Sequence, residues 1–219
     1  FSCPPVFFVA ALLLFQPDYS QTLLVLTIWI IMVFISGISI FFISIISGIV
    51  ISLMVSILFF FKENFFYIFD RLLSWVGKVE ISYQSEQALN AIKAGGFLGR
   101  GVGEGILKEK VPEAHTDYVT SVIAEEYGIL IVLVIFLIVT MLVIRIFSKI
   151  RIANKDFNKL SLLGISCLII LQSFINLGVT INILPSTGMP FPFISYGGSS
   201  IIGSCMALGL ALSLSKKVI

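Results

Sequence analysis

One stretch of this chain gathers the residue types that move protons. Glu109, Glu113, His115 and Asp117 lie close together in Glu109-Lys110-Val111-Pro112-Glu113-Ala114-His115-Thr116-Asp117-Tyr118, and a long apolar segment begins soon after. A carboxylate at the mouth of a membrane helix is costly unless it is solvated, paired or in use. Asp117 has two readings. As a helix N-cap it would accept hydrogen bonds from free backbone N–H groups, for about 1 kcal/mol. As a general base it would take a proton at a partly dry surface, where burial and a second acid favour the protonated carboxyl. The two do not exclude each other. If the stretch curls back, Glu109 or Glu113 approaches Asp117. Lys108 and Lys110 flank Glu109 and favour its ionised form. His115 is the only histidine. Alone it does not suggest a metal site; it reads as a hydrogen-bonded loop residue and is kept as a substrate-binding candidate. Glu125 and Glu126 follow Asp117 by two helical turns, ~12 Å, near headgroup level. They read as functional acids or as acids paired with a lysine or a helix end.

Two further segments could line a site. The run Gly95-Gly96-Phe97-Leu98-Gly99-Arg100-Gly101-Val102-Gly103-Glu104-Gly105 invites a nucleotide loop. It lacks a preceding strand and a Gly-Lys-Ser/Thr ending, so no nucleotide is expected. Glycine here lets the backbone turn tightly against a membrane surface or a ligand. Arg100 could pair with a phosphate or be a plain surface arginine. The loop Leu184-Pro185-Ser186-Thr187-Gly188-Met189-Pro190-Phe191-Pro192-Phe193-Ile194-Ser195-Tyr196-Gly197-Gly198 is stiff at its prolines and permissive at its glycines. Irregular backbone at membrane depth is tolerated where it lines a cavity. Ser195, Tyr196, Ser199 and Ser200 offer hydroxyls there, or Ser199 caps the next helix.

The elements that must position these residues follow from hydropathy. The chain is 58% hydrophobic and 12% charged, with a mean hydropathy of +1.09. Soluble domains run nearer ~45–50% apolar and ~25% charged. An all-α integral membrane protein is expected, with about six transmembrane helices by run length. They are a short run ending near Phe15, then 22–36, 40–61, 129–147, 160–183 and 199–213. The opening run is too short to span and reads as the remainder of a helix whose earlier part is absent. The three cysteines are far apart, which argues against a disulfide framework or a metal site. The net charge of +2 is scattered or sits at span ends, so no nucleic-acid patch is expected.

Arg145, Lys149, Arg151, Lys155 and Lys159 crowd one inter-span loop, and Lys216 and Lys217 end the chain. Both regions are expected in the cytoplasm. Parity then gives one polytopic domain over 1–219, with a long periplasmic loop at 62–119, a basic cytoplasmic loop at 145–159 and a periplasmic Pro/Gly loop at 183–198. The Gln16-Pro17-Asp18 loop falls on the same outer face.

These motifs resemble a known family. Pro112-Glu113-Ala114-His115-Thr116-Asp117-Tyr118, Ala124-Glu125-Glu126-Tyr127-Gly128 and Pro192-Phe193-Ile194-Ser195-Tyr196-Gly197-Gly198-Ser199-Ser200 are similar, in order, to the SEDS family (shape, elongation, division and sporulation). Gln16-Pro17-Asp18 and Tyr83-Gln84-Ser85-Glu86-Gln87-Ala88-Leu89 fit the same order. By run length the chain would hold about six of the family's roughly ten spans. Ala114, the 83–89 stretch and Ser199-Ser200 favour the division type. Thr187 departs from it, because division members usually carry Lys there and elongation or sporulation relatives carry Thr.

The resemblance implies a peptidoglycan glycosyltransferase that polymerises lipid II at the outer face of the bacterial cytoplasmic (inner) membrane, at the division septum. Asp117 matches the family's essential aspartate and Glu109 a second acid near it. Undecaprenyl pyrophosphate would leave, and its charge calls for cationic side chains or a divalent cation, magnesium or manganese. Arg100, Lys108 and Lys110 are the local candidates. A class B penicillin-binding transpeptidase and other divisome proteins are the implied partners. A lipid II flippase is the competing class. It would carry polar or charged groups near the middle of its spans, whereas here the acids gather at one face.

Overall fold

The structure is a computed structural model describing residues 3–16, 18–39, 41, 48, 52, 73, 75, 83–106, 114–153 and 155–215. The expected span at 40–61 lies almost wholly outside them. So do Lys108, Glu109, Lys110, Glu113, Lys216 and Lys217. Among the described residues every regular element is an α-helix. The chain divides into two units, 1–80 and 81–219.

In the first unit, α1 (Cys3–Phe15) and α2 (Tyr19–Ile35) form a helical hairpin. Asp18 closes the turn: its Oδ1 accepts the Gln21 N–H at 3.0 Å, and the Thr22 hydroxyl donates to its carbonyl at 2.7 Å. That is N-cap chemistry. Phe7 meets Trp29 edge to face, with centroids 5.4 Å apart. The hairpin continues to Gly37, whose φ of +90° ends α2.

The second unit contains α3 (Tyr83–Gly95), α4 (Val119–Tyr127), α5 (Ile129–Ile150), α6 (Asp156–Thr180) and α7 (Gly198–Ser215). Of these, α5, α6 and α7 are long and apolar enough to cross a membrane. Their outer faces stay apolar: Leu133, Leu137, Met141 and Ile144 of α5 are exposed, as a lipid-facing helix requires. Val139, Val143 and Ile146 of α5 pack with Leu162 and Ile169 of α6 and Ala211 of α7. Polar side chains inside α6 are handled locally. The Ser166 and Ser173 hydroxyls donate to carbonyls four residues back, at 2.8 and 2.7 Å, which satisfies them without water.

The basic loop expected at 145–159 shrinks to 151–155, because α5 runs on to Ile150 and α6 begins at Asp156, so Arg145, Lys149 and Lys159 lie on helices. Three other boundaries have a single-residue cause. The lead-in to the 129–147 span is a separate helix, α4, because Gly128 breaks it at φ +86°, ψ 162°. That region of backbone space is essentially restricted to glycine. α6 stops at Thr180 instead of 183. Asn182 adopts φ +59°, and the Ile183 and Leu184 N–H groups turn back to the Gly178 carbonyl at 2.8 and 3.0 Å. A left-handed Asn just past a helix end is a common stop. The N-cap position of α4 falls on Tyr118, not Asp117, and the Tyr118 side chain makes no capping hydrogen bond.

The glycine run is a packing seam. A Cβ on Gly95 would lie 2.0 Å from the Ala124 carbonyl oxygen, and one on Gly99 2.2 Å from that of Glu126. Close approach lets backbone bond to backbone: Arg100 N–H to Glu125 O at 2.9 Å, Gly101 N–H to Glu126 O at 3.0 Å and Ile129 N–H to Gly96 O at 3.0 Å. Glu125, 0% exposed, accepts the Ile106 N–H on Oε1 at 2.9 Å. Gly95 and Gly99 therefore fasten the 95–106 segment to the α4–α5 junction, while Gly96 and Gly103 have positive φ with nothing within 4 Å of an added Cβ.

Candidate functional site

Asp117 sits where two irregular segments meet. One is the 114–118 turn that leads into α4; the other is the Pro/Gly loop between α6 and α7. The Tyr196 N–H donates to the His115 carbonyl at 2.9 Å. A Cβ placed on Gly188 would lie 3.4 Å from Asp117 Oδ2. The half-buried carboxylate thus lies over a residue with no side chain, at φ +70°.

The Pro/Gly loop is held from inside the bundle. Phe191, 1% exposed, inserts between α5, α6 and α7. Prolines 190 and 192 carry no N–H, so this loop is poor in donors, and its carbonyls must be met from elsewhere. α6 meets them with side-chain amides one turn apart. Gln172 Nε2 donates to the Pro190 carbonyl at 3.1 Å. Asn176 Nδ2 donates to the Met189 carbonyl at 2.7 Å and to the Asp117 carbonyl at 2.8 Å. Below the 114–118 turn, Ala114 and Tyr118 pack with Ala88 and Ala91 of α3 and Val179 of α6. Ser85 and the Tyr118 hydroxyl lie 3.4 Å apart.

The sequence-derived candidates distribute as follows. Asp117, His115 and Tyr196 come together at this junction, His115 and Tyr196 exposed. Ser195 is buried, and its hydroxyl accepts the Phe191 N–H at 2.7 Å; it shapes the loop. Ser199 is exposed in the first turn of α7 rather than capping it. Arg100 lies at the far end of α4, its Nε donating to the Ala94 carbonyl at 3.1 Å. From Asp117 that is the span to Glu125, ~12 Å. The 114–118 turn and the Pro/Gly loop thus meet at Asp117 and Gly188.

Sequence reasoning passes over Asn176, Gln172 and Gly188. A signal was present: Gln172, Asn176 and Thr180 recur every fourth residue in a largely apolar span, marking one helix face that must meet polar partners.

Among the described residues no three His, Cys, Asp or Glu side chains group to hold a metal ion. Magnesium is commonly held by one or two carboxylates together with substrate phosphates. Among the described residues, Asp117 is a carboxylate that could share such a cation with a substrate phosphate.

Gly188→Ala is expected to cost about 1–2 kcal/mol from the left-handed backbone alone. Thermal unfolding in detergent reads this loss; an unchanged midpoint would contradict the Gly188 geometry.

Comparison with known proteins bears on identity. Residues 3–218 match the cell cycle protein family FTSW_RODA_SPOVE. The chain belongs to the FtsW/RodA/SpoVE family. Within that family it is similar to a Caulobacter vibrioides (strain NA1000 / CB15N) protein named "Probable peptidoglycan glycosyltransferase FtsW". The two are 35% identical over 212 residues, covering 96% of this chain and 53% of that protein. A Geobacter sulfurreducens (strain ATCC 51573 / DSM 12127 / PCA) protein of the same name is 39% identical over 169 residues, covering 74% and 45%. A solved chain from "Structural coordination of polymerization and crosslinking by a peptidoglycan synthase complex" aligns with a TM-score of 0.74 at 28% identity. It covers 98% of this chain and 61% of that one. The chain spans about half the length of the curated relatives it matches. Family membership, the apolar helices and the structural match make this an all-α membrane protein.

Proposed function

We propose that the protein to which this chain belongs polymerises lipid II into glycan strands at the outer face of the bacterial cytoplasmic membrane during septal wall synthesis. The observation that carries this reading is the Asp117 carboxylate lying over Gly188 at one end of the helical bundle. α5, 22 residues long, runs ~33 Å from that end to the basic turn beyond Ile150, about the thickness of a bilayer's hydrocarbon core. With the basic loop in the cytoplasm, Asp117 faces outside. The FtsW name of the relatives supports the division type over an elongation-type polymerase, despite Thr187.

In the proposed chemistry the 4-hydroxyl of an acceptor sugar attacks the anomeric carbon of a donor. A C–O bond forms, the bond from that carbon to the pyrophosphate oxygen breaks, and undecaprenyl pyrophosphate leaves with the bonding pair. The hydroxyl proton passes to Asp117. His115 and Tyr196, exposed beside it, are proposed substrate contacts, with Ser195 and Ser199 contributing through the loop. Arg100, Lys108 and Lys110 are proposed to neutralise the leaving pyrophosphate, to which a divalent cation would supply further positive charge. Glu109, outside the described residues, is proposed as the second acid on its place in the motif order. A class B penicillin-binding transpeptidase and other divisome proteins are the proposed partners; the similarity to a chain of a peptidoglycan synthase complex supports the first.

The flippase alternative finds less support. Asn176, Gln172 and the buried hydroxyls of α6 are polar but uncharged, and they bond to backbone or to one another. The test is full-length protein with its transpeptidase in vesicles, supplied with labelled lipid II on the outer leaflet. Glycan strands should grow without exchange of label between leaflets. Leaflet exchange with no strand growth would overturn the reading.

A further inference from the structure

The polar groups of α6 divide into two kinds. Ser166 and Ser173 bond back to their own helix. Asn176, 1% exposed, instead reaches out of it. Its Nδ2 meets two backbone carbonyls, Asp117 O at 2.8 Å and Met189 O at 2.7 Å. These carbonyls belong to segments separated by the whole of α4, α5 and α6. Only an NH2 group can donate to both, so the amide has one orientation. Its Oδ1 then faces Thr120, whose hydroxyl lies 3.2 Å away and itself lies 2.8 Å from the Thr180 hydroxyl. The amide is held from every side.

The consequence lies at Asp117 itself and one residue before Met189. Met189 follows Gly188, which lies beneath Asp117 Oδ2. Tying the Asp117 and Met189 carbonyls to one nitrogen fixes the separation of the carboxylate from the 187–190 turn. Buried amides in a low-dielectric setting hold such geometry firmly, since the alternative is an unpaired carbonyl.

We propose that Asn176 is a positioning residue for the polymerisation site, clamping the backbone that carries Asp117 to the turn at Gly188. The inference rests on the polymerase reading above and deepens it. Asn176 touches no reacting atom; it acts through Asp117.

The test uses full-length protein in vesicles with lipid II as substrate. Asn176→Asp keeps the shape but turns an acceptor toward two carbonyls. Displacing a reacting group by ~1 Å costs on the order of 100-fold in rate, so a maximal rate of strand growth lower by about 30-fold or more is expected. Half-saturating lipid II should stay within about threefold of wild type, because substrate binding is not what the clamp supplies. Ser173→Ala, which perturbs α6 without touching the clamp, should retain the wild-type rate. Where Asn176→Asp fails to fold, Asn176→Ser, keeping one donor, should fold and show an intermediate loss. Wild-type rates in folded Asn176 variants would overturn the inference, as would a loss confined to half-saturation. If Asp117→Asn is inactive while Asn176→Asp runs at full rate, only the clamp is wrong. If Asp117→Asn runs at full rate, the base assignment is wrong and the clamp falls with it.

Discussion

Gly128→Ala is expected to yield no stably folded protein, a loss above about 4 kcal/mol and so in the range reserved for named structural failures. Two independent costs combine. The backbone there has φ +86° and ψ 162°, a conformation that costs a non-glycine residue of order 1–3 kcal/mol. The new Cβ would also lie 2.2 Å from the Phe97 carbonyl oxygen and 2.7 Å from the Gly99 nitrogen. Both are backbone atoms and cannot rotate away. Moving them would break the Ile129–Gly96 and Arg100–Glu125 hydrogen bonds that fasten the 95–106 segment. Two neighbours separate the causes. Gly103 has φ +84° with nothing near its missing side chain, so Gly103→Ala should cost only about 1–2 kcal/mol. Gly95 has no such φ but a collision at 2.0 Å, so Gly95→Ala should be severe from contact alone. Unfolding midpoints of the three variants in detergent would check this. A Gly128→Ala protein as stable as Gly103→Ala would refute the seam.

That seam shows what a sequence hides. Glycine content announces freedom or close approach but not the partner, and here the partner is the carbonyl row at the end of α4. The three spans at α5, α6 and α7 were legible, because lipid demands an unbroken apolar run and internally closed hydrogen bonds. α5 and α7 match expectation to within a few residues. Their ends were less so: the Asn182 stop and the Gly128 break depend on single backbone conformations that apolar run length does not register. Asp117 stood out because a carboxylate before a span demands a reason. Asn176 did not, because an amide in a helix shows its purpose only when the two carbonyls it joins are seen together. The N-cap position expected at Asp117 falls one residue later, on Tyr118, whose side chain makes no capping hydrogen bond, and the carboxylate lies over Gly188.

Neutralising that carboxylate probes the mechanism at its centre. Asp117→Asn preserves shape and the Asn176–Asp117 backbone bond, and removes the ability to accept a proton. General base catalysis contributes typically 10²–10⁴-fold, so strand growth should fall by that order while half-saturating lipid II changes little. The direct measurement is glycan polymerisation from lipid II by full-length protein with its transpeptidase, wild type beside Asp117→Asn, at matched folded protein. The account predicts strands from the wild type and almost none from the variant. Strands of wild-type amount and length from Asp117→Asn would contradict it.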